Sequence, residues 1–243
     1  MEAIILAAGY ATRLYPLTRD TPKPLLKVAG KPIIEHIIGK IEQIKNLGRV
    51  HIVTNDKFEG NFKSWLSSFE TNIPISIYND GTKTNEDRLG AIGDIQFALD
   101  SNQIDDDILV IAGDNLFELS LADAANYFKK KKSNVIVLYD VKSSELAKMY
   151  GVVETENGIV ANFEEKPLAP KSTLVSTGIY FFTKKTVPLI KKYLLQGNSA
   201  DKSGSFVEWL HKRDKIYTFS TDKKWFDIGD LEQLKLADRT YRQ

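Results

Sequence analysis

Arg13, Lys23, Asp114 and Asp227 have the types and settings that phosphate chemistry requires. Residues 2–8 read Glu-Ala-Ile-Ile-Leu-Ala-Ala, an apolar run suited to a strand buried on both faces. Its end, from Leu6 through Ala8 and Gly9, is built of small residues, and Arg13 follows after Tyr10-Ala11-Thr12. A small-residue loop at the end of a buried strand can turn backbone N–H groups toward an anion. Arg13 and Lys23 reaching the same place would clamp a polyphosphate. The loop is not a dinucleotide fingerprint, because Ala11 stands where the second glycine belongs and the third is missing. It is not a Walker A loop either, since no Gly-Lys-Ser/Thr follows. A plain turn with an exposed Arg13 is the competing reading. The stiff Pro22-Lys23-Pro24 segment, which fixes the direction of Lys23, weighs against it.

Asp114 lies in Ala112-Gly113-Asp114-Asn115, just after the buried run Ile108–Ile111. A carboxylate at the end of a central parallel strand stands where α/β sheets bind ligands, and can hold Mg²⁺ against phosphate oxygens. A Gly-Asp-Asn turn bonded to its own backbone is the alternative. In Lys224-Trp225-Phe226-Asp227-Ile228-Gly229-Asp230, Asp230 reads as a helix N-cap with Gln233 completing a capping box. Asp227 has no such role. Glu164-Glu165-Lys166-Pro167 and Ser176-Thr177-Gly178 form a further polar group. Its carboxylates can accept hydroxyl hydrogens and its lysine can donate to an oxyanion, or the charges can form a surface pair worth little. His36, His51 and His211 lack ligand spacing.

The elements that must position these residues alternate. Strand-like runs at Ile4–Ala7, Val50–Thr54, Ile73–Tyr78, Ile108–Ala112 and Val135–Tyr139 are separated by helical patterns near Pro32–Asn46, Lys57–Phe69, Leu89–Asp100 and Leu121–Lys131. This predicts an α/β fold with a doubly wound, mainly parallel, Rossmann-like sheet and helices on both faces. From Tyr150 the texture changes. Strands Gly151–Thr155 and Ile159–Glu164 flank a hairpin signal at Glu156-Asn157-Gly158. A strand at Thr177–Phe182, helices near Lys184–Leu195 and Gly204–Lys212, a strand at Lys215–Ser220 and a helix from Leu231 complete the chain. No linker-like tract divides it. The expectation is one domain over 1–243, with one lobe near 1–115 and a smaller β-containing lobe near 116–243.

Composition narrows the partners. Lys plus Arg number 33 against 32 Asp plus Glu, so the chain has no field suited to nucleic acid or an anionic membrane. The Lys129–Lys132 run falls at a helix end and reads as a solvated face. With no cysteine, disulfides and thiolate metal sites are excluded. No apolar run spans a bilayer, and the N-terminal one is too short for a signal peptide. A cytoplasmic protein is expected. Aromatic segments such as Tyr180–Phe182, read as exposed, make a homo-oligomer an expectation as well.

Taken in order, these motifs resemble the sugar-1-phosphate nucleotidyltransferases, the group of the glucose-1-phosphate thymidylyl- and uridylyltransferases. The resemblance rests on Leu6-Ala7-Ala8-Gly9 to Arg13, Pro22-Lys23-Pro24-Leu25, Gly113-Asp114-Asn115, Tyr150-Gly151-Val152-Val153-Glu154, Glu164-Glu165-Lys166-Pro167 and Trp225-Phe226-Asp227-Ile228-Gly229. It implies that a sugar-1-phosphate attacks a nucleoside triphosphate in line and releases pyrophosphate, with Mg²⁺ as cofactor. Arg13 and Lys23 would be the catalytic cations, and Asp114 and Asp227 would share the metal. Leu6, Ala8, Gly9, Asn85 and Gly90 would bind the nucleotide. Gly151, Glu165, Lys166, Ser176 and Gly178 would bind the sugar phosphate. Two positions depart from the family pattern: Ala11 replaces a glycine, and Asn85 stands where a glutamine often reads a pyrimidine edge. Glucose-1-phosphate with dTTP or UTP is the expected pair. The alternatives are a cytidylyltransferase acting on a non-sugar phosphate and a non-catalytic subunit that binds nucleotide-sugar.

Overall fold

The computed structural model describes residues Met1–Arg242. The first part of the chain contains β1 (Glu2–Leu6), a short hairpin of β2 (Lys27–Val28) and β3 (Lys31–Pro32), α1 (Ile33–Ile41), β4 (Val50–Thr54), α2 (Glu59–Leu66), β5 (Ile75–Asn79), α3 (Ala91–Asn102) and β6 (Ile108–Ala112). There follow β7 (Asn115–Phe117), α4 (Leu121–Lys131), β8 (Asn134–Asp140), α5 (Ser144–Ala147), β9 (Gly151–Glu156), β10 (Ile159–Glu165) and β11 (Leu174–Phe182). The last elements are α6 (Val187–Leu195), α7 (Ser203–Leu210), β12 (Ile216–Thr221), β13 (Trp225–Asp227) and α8 (Leu231–Tyr241).

One nine-stranded sheet runs through both halves in the order β5-β4-β1-β6-β11-β8-β12-β10-β9. The first four strands are parallel, as the alternation of strands and helices predicts. Beyond them the sheet is mixed: β11 runs antiparallel to both β6 and β8, and only β8 and β12 pair in parallel. The expectation of a mainly parallel sheet therefore holds for the N-terminal half alone. The β9–β10 hairpin forces one antiparallel pairing, and the others come from β11 returning between β6 and β8 and from β10 lying beside β12.

Alternate side chains of the central strands feed two apolar layers. Ile5, Ile52, Leu109, Ile111, Val137 and Phe181 pack against α1, α2 and α4 on one face. Ile4, Val53, Val110, Ile136, Tyr180 and Phe182 pack against α3, α6 and α7 on the other. In α1 the buried isoleucines 33, 34, 37, 38 and 41 follow the three-four spacing of one helix face. Burying each stabilises the fold by about 1.5–3 kcal/mol.

The Tyr180–Phe182 segment is not an exposed aromatic surface. Its three side chains are buried, because β11 lies between β6 and β8 with helices on both faces. The helix read from Lys184 starts at Val187, with Pro188 in its first turn. Asp230 does cap α8, accepting from Gln233 N at 2.9 Å. Gln233 does not return to the cap residue; its Oε1 accepts from Gly229 N at 2.6 Å and pins the end of β13. Among the described residues no helix is long and apolar enough to cross a membrane.

Candidate active site

The carboxyl ends of β1, β4 and β6 open onto one side of the sheet, and Gly113 draws two of them together. Its N–H donates to the Leu6 carbonyl at 2.9 Å, and a Cβ at 113 would lie 2.6 Å from that oxygen. Pro24 packs at 3.2 Å from the same position, so the Pro22-Lys23-Pro24 segment reaches the start of the Asp114 turn. Lys23 Nζ then donates to Asp114 Oδ2 at 2.8 Å.

Asp227 arrives by a device with no clear signature in the sequence. β13 pairs antiparallel with β7, setting Asp227 opposite Asn115, and Ile228 N donates to the Asp114 carbonyl at 3.2 Å. Trp225 Nε1 donates to Asn115 Oδ1 at 3.0 Å, and Asn115 Nδ2 donates to the Thr177 carbonyl at 2.7 Å. The ribbon is thus locked to β11 as well. Burial pushes the Asp227 carboxyl up to about 6, and the charge of Asp114 adds to the rise. The charges of Lys23, Arg13 and Lys166 oppose the rise. Burial and the charges of Asp227, Asp114 and Asp230 hold the neighbouring Tyr150 hydroxyl neutral, with its pKa pushed up to about 12.

Two compartments meet at this cluster. One, of about 490 Å³, is lined by Leu6, Gly9, Arg13, Lys23, Asn85 and Arg88 among others. The second, of about 250 Å³, is lined by Gly151, Glu165, Lys166, Ser176, Gly178 and the Asp201–Gly204 segment, with Asp227 and other residues. They share Ala91, Ala112, Asp114 and Ser203. In the second compartment Glu165 is fitted between two glycines. A Cβ at Gly204 would lie 2.0 Å from Glu165 Oε2, and one at Gly151 would lie 2.4 Å from Phe163 and 3.0 Å from that oxygen. Burial raises the Glu165 pKa, and Lys202 and Lys166 pull it back down. Ser176 Oγ donates to Tyr180 Oη at 3.1 Å, and Tyr180 Oη lies 3.2 Å from Ser203 Oγ. A buried hydroxyl chain therefore ends at the wall common to both compartments.

Most of the residues singled out in the sequence converge, but two line neither compartment. Ala8 is buried, and its carbonyl accepts from Asn55 Nδ2 at 2.8 Å. Gly90 does not line the first compartment. A Cβ there would meet the Ala200 carbonyl at 2.6 Å, so Gly90 serves a backbone crossing at the start of α3. The Asp201–Gly204 segment and Arg88 were not singled out by any motif. The visible signal was a run of small and polar residues, Asn198-Ser199-Ala200, leading into a helix. A larger cleft, of about 690 Å³, is lined by Phe128, Pro188 and several lysines; Lys184 there is already paired with Asp105 at 2.7 Å. Its carboxylates, Asp105 and Asp107, precede β6 and so stand at the opposite end of that strand from Asp114.

Comparison with known proteins agrees with this geometry. Residues 2–243 match the family model described as nucleotidyl transferase. The chain belongs to that family. It is 32% identical over 231 residues to the bifunctional protein GlmU of Methanocaldococcus jannaschii, covering 94% of this chain and 51% of that one. It is 31% identical over 248 residues to a UTP–glucose-1-phosphate uridylyltransferase of Synechocystis, covering 95% of this chain and 61% of the relative. The chain thus spans about half to three-fifths of the length of these relatives. Among solved structures, a putative glucose-1-phosphate thymidylyltransferase from Bacillus anthracis, in complex with sucrose, superposes with a TM-score of 0.85 at 26% identity. That alignment covers all of this chain and 96% of the other. A UDP-glucose pyrophosphorylase bound to UDP-glucose shares the fold, with a TM-score of 0.81 at 21% identity over 99% of this chain and 97% of the other.

Proposed function

We propose that this nucleotidyl transferase family member joins a sugar-1-phosphate to a nucleoside triphosphate and releases pyrophosphate. The observation that carries this is the convergence of Asp114, Asp227 and Lys23 where two compartments of unequal size meet. The larger compartment, at the ends of the parallel strands, is read as the nucleotide site of a doubly wound lobe near 1–115. The smaller is read as the sugar site of the lobe near 116–243, within one domain.

Leu6, Gly9 and Asn85 border the nucleotide, and Arg13 meets its phosphate tail. Lys23 stands between the α-phosphate and the sugar phosphate. Glu165 and Ser176 accept and donate to sugar hydroxyls, with Gly151 and Gly178 leaving room, and Lys166 meets the sugar phosphate. Among the described residues no group of three or more His, Asp or Glu could hold a metal. Two carboxylates suffice for a Mg²⁺ whose other ligands are phosphate oxygens and water. Asp114 and Asp227 fit that role, because burial and the charge of Asp114 disfavour ionisation of Asp227, a penalty that a bound cation would offset. When bound, the ion supplies neutralisation of phosphate charge.

The attacking phosphate is already anionic, so the chain need provide no nucleophile. Its task is alignment and charge compensation. Two unit charges at ~4 Å repel by about 4 kcal/mol at an effective dielectric of ~20. Arg13, Lys23 and Lys166 are placed to offset terms of that size. The relatives favour UTP or dTTP with glucose-1-phosphate, and the GlmU similarity adds amino-sugar phosphates to the candidates.

The test is a matrix of five nucleoside triphosphates against hexose-1-phosphates, hexosamine-1-phosphates and phosphocholine, read by pyrophosphate release with and without Mg²⁺. Metal-dependent release with one sugar-1-phosphate column is expected. Release with phosphocholine alone, or with no acceptor, would refute the reading.

A further inference from the structure

The loop between β5 and α3 is built to hold a shape. Asp80 Oδ1 accepts from Thr82 N at 2.8 Å, and Asp87 Oδ1 accepts from Thr84 N at 2.8 Å. At its end Arg88 reaches in two directions. Its Nη1 donates to the Asn85 carbonyl at 2.7 Å, while Nε and Nη2 donate to Asp201 Oδ1 at 3.2 and 3.0 Å. Asp201 belongs to the segment that lines the sugar-side compartment, whereas Asn85 and Arg88 line the nucleotide-side one.

The anchor for this contact is backbone. Ala91 N donates to the Asp201 carbonyl at 3.1 Å and Ile92 N to the Ala200 carbonyl at 2.9 Å, satisfying two free amides of the first turn of α3. Gly90 allows the crossing, since any side chain there would strike Ala200. Arg88 and Asp201 are both partly exposed, and an ion pair of that kind adds little to stability. Its effect is geometric. The guanidinium is a rigid fork that joins one carboxylate and one carbonyl in a fixed relation.

We propose that Arg88 and Asp201 are positioning residues that set the place of Asn85, so that discrimination among nucleotide bases depends on a residue anchored in the sugar-side wall. This rests on the reading of Asn85 as a base contact, and the experiment separates the two. Binding of UTP and of CTP with Mg²⁺ is measured by calorimetry for the full chain and for Asn85→Ala, Arg88→Lys, Asp201→Ala and Asp201→Asn. Melting temperature is recorded for each.

Asp201→Ala and Arg88→Lys are expected to narrow the ratio of the two affinities about tenfold with little change in melting temperature. Asp201→Asn keeps an acceptor oxygen and is expected to recover most of the ratio. The double variant Arg88→Lys/Asp201→Ala is expected to be no worse than either single one. A ratio that collapses in Asn85→Ala but holds within twofold in Arg88→Lys and Asp201→Ala would overturn the relay and leave the base contact standing. A ratio unmoved in Asn85→Ala would overturn both. Equal weakening of both nucleotides in Arg88→Lys would make Arg88 a phosphate contact and also overturn the relay.

Discussion

The two compartments are made by different means. The nucleotide side is shaped by charge and by strand ends: Arg13 and Lys23 come from short turns after β1, and Asp114 from the turn after β6. The sugar side carries charge as well, in Glu165, Lys166 and Asp227, but its shape comes from space and hydroxyls: Gly151 and Gly204 make room for Glu165, and Ser176, Tyr180 and Ser203 form a chain. Changes on the first side should therefore act on the rate of transfer. Changes on the second should act on which acceptor binds.

The strongest challenge to this contrast is Asp114→Asn or Lys23→Ala. Each removes one preorganised charge from the place where charge develops, so kcat is expected to fall by at least ~10²-fold. The KM for the sugar phosphate should move far less. Steady-state pyrophosphate release on both variants, with circular dichroism to verify folding, measures this. Near-normal turnover would remove the chemical role of the charged side.

Gly204→Ala probes the other compartment. The added methyl would press on Glu165, and the carboxylate would have to leave its cradle. Acceptor KM is expected to rise about tenfold, which is about 1.4 kcal/mol of binding, while nucleotide affinity stays within twofold. An equal loss for both substrates would show that the compartments are not separable in this way.

A third difference concerns pH. Asp94, buried in α3, has an Oδ1 with no hydrogen-bond partner among the described residues, and Oδ2 of Asp80 has none there either. Burial pushes the Asp94 carboxyl up to about 8, and the charge and proximity of Asp80 contribute. The folded state therefore holds a proton that the unfolded chain has released above about pH 4. Stability from this group is full below pH 4 and is lost as pH rises toward 8, by at most about 1.4 kcal/mol per unit. Asp94→Asn should flatten that slope in melting curves taken from pH 5 to 9. An unchanged slope would mean that Asp94 is ionised in the folded protein.

What the sequence revealed follows the same division. Leu6–Arg13, Lys23 and Asp114 were legible because a buried strand and its terminal loop are contiguous, and local chemistry marks them. The pairing of Asp227 with Asp114 was visible only through resemblance. The ribbon of β7 and β13 is three residues long on each side and joins segments more than a hundred residues apart, so no periodicity records it. Tyr180–Phe182 misled because three consecutive aromatics look the same in an edge strand and in a central one. The Asp201–Gly204 wall escaped because its contribution mixes the Asp201 carboxylate and carbonyl, the Ser203 hydroxyl and a missing side chain at Gly204, a set that no residue pattern announces.

The smallest expected effect lies in the phosphate loop itself. Ala11 adopts φ 47 and ψ 43, the left-handed region, at the entry to the Thr12–Leu14 turn. Its carbonyl is held there by Thr18 Oγ1 at 2.7 Å and by Leu14 N at 3.0 Å. An L-residue in that region bears a steric cost of about 1–2 kcal/mol, which glycine escapes. Glycine also gives the unfolded chain more freedom, offsetting roughly 0.4–1 kcal/mol of the relief. Ala11→Gly should therefore stabilise the protein by about 1 kcal/mol or less, a rise in melting temperature of about 2–4 °C at most. Triphosphate affinity should weaken no more than threefold, since Lys23 keeps its hydrogen bond to Asp114. A clear drop in melting temperature would mean that the alanine methyl makes contacts worth more than the strain it brings, and that this departure from the family pattern is a packing choice rather than a tolerated one.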